Sequence, residues 1–128
     1  MKRIILPLLL VAAAPHPQWT LDKQIDVLAA MLDPAEVEDD NGPDAEMRNV
    51  ETKGCTTGIE TKAREYSIDW TKPAQVVLGD TFVFIEAPPV KLAIVGDASR
   101  PRQAEVLKSL ARAMNELAAK CAAPSAGN

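Results

Sequence analysis

The groups in this chain that could carry chemistry at neutral pH are one histidine, two cysteines and 18 carboxylates. A single histidine, His16, excludes Ser-His-Asp and Cys-His catalysis within the folded domain and any multi-histidine metal centre. Cleavage after Ala13 would leave Ala14-Pro15-His16 at a new amino terminus, and a free amine with histidine third in line is a geometry that binds Cu(II) or Ni(II). That geometry also needs a deprotonated amide nitrogen at residue two, and Pro15 has none. Asp39, Asn41 and Gly42 suggest a calcium loop only until the register is tested. With Gly42 at the sixth position, Val37 falls at position one and Arg48 at position twelve, where oxygen ligands are required. No metal site and no cofactor are expected.

The carboxylates do not form a hydrolytic pair either. Seven of them crowd residues 33–46, and Glu60, Asp69 and Glu86 lie singly, whereas acid–base hydrolysis needs two acids held across a cleft. Gly54 and Gly58 precede strand-like residues instead of a helix start, so no phosphate cradle is present. Lys53, Lys62, Lys72 and Lys91 are spread along the chain and build no basic patch with interleaved aromatics. A net charge of −4, from 18 acidic against 14 basic residues, opposes phosphate neutralisation, so nucleic acid is not an expected partner.

The cysteines depend on the compartment, which the first residues address. Lys2 and Arg3 precede an apolar run, Ile4 to Ala13, the length of a signal-peptide core and short of the roughly 20 residues that span a bilayer. Residues 1–13 read as a signal peptide cut after Ala13, with no twin-arginine motif and no lipid-anchored cysteine, giving a periplasmic or secreted protein. Its loss would leave 12 basic against 18 acidic residues, so neither stable membrane insertion nor attraction to an anionic membrane surface is expected. In an exported chain an even count of two cysteines, Cys55 and Cys121, favours a disulfide, closing a loop of about 67 residues.

Residues 14–128 then form a single α+β domain. Leu21, Ile25, Leu28 and Leu32 recur at helical spacing, with Thr20 placed to cap and Pro34 to stop. Trp19 packs the start of this helix. Residues 33–46, acidic and broken by Pro34, Gly42 and Pro43, read as a mobile loop. Between 47 and 95 the apolar period drops to two. One strand pair runs through Cys55–Thr61 and Tyr66–Trp70 with a turn at Lys62 and Ala63. Val76–Leu78 and Thr81–Glu86 form a hairpin at Gly79-Asp80, where glycine supplies positive φ. Phe82 and Phe84 oppose Val83 and Ile85, so that strand is expected to be covered on both faces. After Pro88-Pro89, Val90–Val95 completes an antiparallel meander of about five strands. Pro101 opens a helix that continues to about Ala122, with Leu107, Leu110, Met114, Leu117 and Cys121 on one stripe. That stripe faces the sheet and brings Cys121 toward Cys55. Residues 123–128 are expected to be a disordered tail.

From Cys55 onward this order resembles small exported bacterial proteins of unassigned function. They share a short meander with a cysteine in an early strand, a hairpin like Val76 to Ile85, a strand like Lys91 to Val95, and a closing helix ending in a second cysteine. The order of sheet and terminal helix also looks like half of a pleckstrin-homology-like fold. The resemblance spans about 70 residues, carries no catalytic residues, and does not include the N-terminal helix. The expected function is a small binding or accessory module without a catalytic constellation. A protein partner would meet an open sheet edge or the exposed side of Tyr66, Trp70 and Phe82. The alternatives are a pocket for a small apolar ligand or lipid between sheet and helix, lined by Phe84, Leu92, Leu110 and Met114, or a hydrolase-like enzyme, which would need a polar group of perturbed pKa in that cavity.

Overall fold

A computed structural model describes residues 19–40 and 42–126 of the chain, so residues 1–18, which include the expected signal peptide and His16, lie outside the described residues. The protein is α+β, with two helices and a seven-stranded antiparallel sheet. Helix α1 (Leu21–Ala30) is capped as expected by the Thr20 side chain, which accepts from Lys23 N. Its buried stripe holds Ile25, Leu28 and Ala29. Seven strands follow: β1 (Glu36–Asp39), β2 (Gly42–Lys53), β3 (Thr56–Thr61), β4 (Glu65–Asp69), β5 (Gln75–Leu78), β6 (Phe82–Ala87) and β7 (Val90–Val95). Helix α2 (Gln103–Ala126) closes the chain.

The sheet order, β4-β3-β2-β1-β7-β6-β5, joins two meanders through β1 and β7. The expected five strands are therefore seven, and the additional pair comes from the acidic stretch. Residues 33–46 are not a loop: β1 and the first part of β2 form an antiparallel hairpin, with Glu36 opposite Glu46 and Val37 opposite Ala45. Backbone pairing on both sides of β1 supplies its hydrogen bonds whatever its side chains are. Only Val37 has to be buried, while Glu36 and Glu38 point to solvent. Strand β2 is long because it serves two partners. Its register shifts between Met47 and Asn49, and such a bulge bends the strand so that its first half pairs with β1 and its second with β3.

Beyond the bulge no strand of the described residues lies on the β1 side of β2, and α1 packs there instead. Asp26 Oδ2 accepts from Thr52 N at 3.1 Å, satisfying an edge amide that the ladder leaves over. The two ends of the molecule are tied by Gln103, a buried polar residue. Its Oε1 accepts from Asp97 N at 3.1 Å and its Nε2 donates to Met31 O at 3.4 Å.

One core runs through both halves of the sheet and both helices. Val37, Val83, Ile85, Leu92 and Ile94 face Leu107, Leu110 and Met114 of α2, and Ile59, Ile68 and Trp70 extend the same cluster toward β3 and β4. At β6 the sequence expectation fails. Val83, Ile85 and Ala87 are buried, but Phe82, Phe84 and Glu86 are only partly so, because both helices lie on the same face. Gly79 is not in the left-handed region; among the described residues, Gly54 is the glycine with positive φ. A Cβ at Gly79 would meet the Phe82 ring, which a larger residue there would have to displace. Helix α2 begins at Gln103, after a turn that contains Pro101, and it runs past Ala122 to Ala126. Pro124 sits in the last turn, where the i−4 bond it cannot make would have used the carbonyl of exposed Lys120.

Candidate functional site

Cys55 and Cys121 form a disulfide, with S–S 2.08 Å and Cα–Cα 5.8 Å. It fastens the penultimate turn of α2 to the β2–β3 turn, as the apolar stripe of the helix implied. The bond is structural in setting: Cys121 belongs to the core and Cys55 packs against it.

Of the three residues expected to meet a partner, the structure brings none together with another. Trp70 is fully buried, and its Nε1 donates to Thr57 Oγ1 at 2.7 Å, which in turn is 2.9 Å from Thr52 Oγ1. It is a core residue, because the period-two pattern assigns it to the same face as Ile68 and that face turns inward. Phe82 lies over Gly79 on the outer face of β6. Tyr66 shares the inner face with Ile59 and donates its hydroxyl hydrogen to Asp39 Oδ2.

Asp39 is the centre of a group the sequence did not reveal. Its side chain is only 4% exposed, and Arg64 Nη1, on a side chain 31% exposed, lies 3.2 Å from Oδ2. Thus β1 and the β3–β4 turn, separated by β2 in the sheet, are braced by an ion pair with a phenol added. Gly42 leaves the space through which the Arg64 guanidinium passes. Burial and the hydrogen bond to Asp39 push the Tyr66 hydroxyl up to about 12. A phenol so shifted is a poorer acid than usual and holds its proton at neutral pH, so the group acts as a brace and not as an acid–base pair.

The chain has one tyrosine, so its titration can be read without ambiguity. Absorbance at the tyrosinate band should give a midpoint near 12 in the folded protein and about 10 when unfolded. Since the folded value is the higher, the stabilising contribution is complete below pH 10 and lost as pH rises through the folded midpoint. Asp39→Asn should move the midpoint down toward the unfolded value. A folded wild-type midpoint near 10 would show that the contact is not made.

The residues expected to line an apolar pocket do not do so. Leu92, Leu110 and Met114 are solid core, and Phe84 points away from α2 on the opposite face of β6. A cleft of about 520 Å³ opens elsewhere, between α1 and the unpaired part of β2, lined in part by Asp26, Ala29, Arg48 and Val50. Burial pushes the Asp26 carboxyl up, opposed by the Thr52 N–H, and its Oδ1 is buried with no hydrogen-bond partner among the described residues. Among the described residues, no group of three or more His, Cys, Asp or Glu is placed to hold a metal ion, and no helix is long and apolar enough to cross a membrane.

Apart from Phe82, the sequence left unmarked the outer face of β5, β6 and β7. Val77 stands opposite Phe84, Phe84 opposite Ala93, and Phe82 opposite Val95. Antiparallel partners share a face, so these five side chains form one apolar island about 10 Å across three strands. No described element packs on it. Its border is the edge strand β5, where Val77 is 46% exposed; Leu78, 43% exposed at the same edge, pairs with Val83 and belongs to the other face. Val76 O is occupied, accepting from Asn115 Nδ2 at 3.2 Å. A run of Val76, Val77 and Leu78 reads equally well as a central or an edge strand, so only the strand order could identify this surface. No family model matches the chain, and no curated protein or solved structure shows significant similarity to it.

Proposed function

We propose that this protein is a small exported binding or accessory module that holds a protein partner on the outer face and edge of β5–β7. The observation that carries the reading is the exposure of Val77 on an edge strand, on the same face as Phe84 and Phe82. Soluble proteins rarely leave such a surface without use, because edge strands invite pairing and apolar patches invite association. Export draws support from the apolar run at residues 4–13 and from a disulfide, which persists in oxidising compartments. The order of strands followed by one closing helix, with a cysteine in each region, supports the resemblance to small exported bacterial proteins. A pocket protein or a hydrolase is the weaker reading, since the core around Leu92, Leu110 and Met114 is filled.

The test is site-specific photocrosslinking in the native envelope. A crosslinker at position 77 should trap one defined partner, and one at exposed Glu116 on α2 should not. Val77→Lys should reduce the retained partner about tenfold or more, the change expected from losing a single anchor, with the melting temperature unchanged. Equal trapping from positions 77 and 116 would reject the reading.

A further inference from the structure

The apolar island ends on acidic side chains where it reaches β1, and these select the chemistry of what can lie across it. Across β6, β7 and β1 the outward row runs Phe84, Ala93, Glu38, and the next row runs Phe82, Val95, Glu36. Asp44, on β2, adjoins Glu38. Glu36, Glu38 and Asp44 are all exposed. At the strand spacing of a sheet, Val77 and Glu38 stand about 14 Å apart, so a single extended segment crossing the strands reaches both. None of the ion pairs seen among the described residues uses these three carboxylates; Lys62 pairs with Glu46, opposite Glu36, and Lys91 stands across the sheet from Glu86, one row from Phe84 and Ala93. Asp44 and Glu36 push the Glu38 carboxyl up by repulsion, a local cost that a cation would remove.

We propose that the outer face of β5–β7 and β1 takes a basic, amphipathic protein segment, its apolar side chains on Val77, Phe84 and Val95 and its lysines or arginines beside Glu36, Glu38 and Asp44. The net negative charge of the chain steers such a segment toward the surface. This inference rests on the reading of the same face as a docking surface, and it adds the charge of the partner.

The experiment uses the disulfide-bonded chain and three synthetic peptides of alternating pattern: leucine–lysine, leucine–serine and leucine–glutamate. Binding is followed by fluorescence anisotropy at low and high salt. The lysine peptide should bind about tenfold tighter than the serine peptide, and the glutamate peptide weaker than both. Raising salt to about 0.5 M should abolish the preference, because exposed charges are then screened. The triple variant Glu36→Gln, Glu38→Gln, Asp44→Asn should bind the lysine and serine peptides alike while melting no lower than the wild type. Phe84→Ser should weaken both about tenfold. If the serine and lysine peptides bind equally and both depend on Phe84, the cationic partner is refuted while the docking face stands. If no peptide binds, or binding is indifferent to Phe84→Ser, both fall.

Discussion

Cys121→Ser is expected to lower the melting temperature by about 15–30 °C. The bridge joins residues 66 apart, and closing a loop of that length removes enough freedom from the unfolded chain to be worth about 4 kcal/mol. A domain near 100 residues loses about 4–8 °C for each kcal/mol, so the shift is large. Serine fits the Cys121 site with little change of volume, and the site lies at the rim of the core, so packing adds only a minor part. Two comparisons isolate the bridge. Reducing the wild type should lower its melting temperature to that of the variant, and reducing the variant should change nothing. The double variant Cys55→Ser, Cys121→Ser should match the single one. An unchanged melt for Cys121→Ser would show that the bond contributes nothing to stability.

The second large effect concerns Trp70. Trp70→Ala empties the volume of a fully buried indole and takes the donor away from Thr57 Oγ1, for an expected cost of about 3–5 kcal/mol. Trp70→Phe keeps most of the apolar contact and loses the hydrogen bond, so about 1–2 kcal/mol is expected. Thr57 would retain its contact with Thr52, which limits the damage. Urea unfolding monitored by circular dichroism gives both values from the midpoints. Below the transition, partner binding should be the same for wild type and Trp70→Phe, because the indole is nowhere on the surface. A Trp70→Ala protein with an unchanged midpoint and lost binding would place the ring outside, as composition and spacing alone had suggested.

Some elements were legible before any fold was known. The helix from Leu21 was marked by four apolar residues at helical spacing and by Thr20, and its cap is as expected. The Gly79-Asp80 hairpin, the β3–β4 pair and β7 follow from period two and from turn residues. The acidic stretch reads as a loop because its polarity hides the strand. A strand needs only one buried face, and in β1 a single valine provides it. Candidate surface residues were harder still. Tyr66 and Trp70 alternate with polar residues, and alternation separates two faces without saying which of them is inside.

Local pattern alone therefore determined the helices, most strands and, through Cys121 on the apolar stripe of α2, the pairing of the two sulfurs. Each of these depends on interactions within a few residues or on a single pair of reactive atoms. The tertiary structure decided which strand is at the edge, which face the helices cover, and that Asp39, Arg64 and Tyr66 meet. Those outcomes depend on the order β4-β3-β2-β1-β7-β6-β5, in which β1 pairs with β7 more than 50 residues away. Pairing at that separation is selected by the energy of the whole sheet and not by any one segment, so the exposed island at Val77 and Phe84 becomes visible only when the sheet has formed.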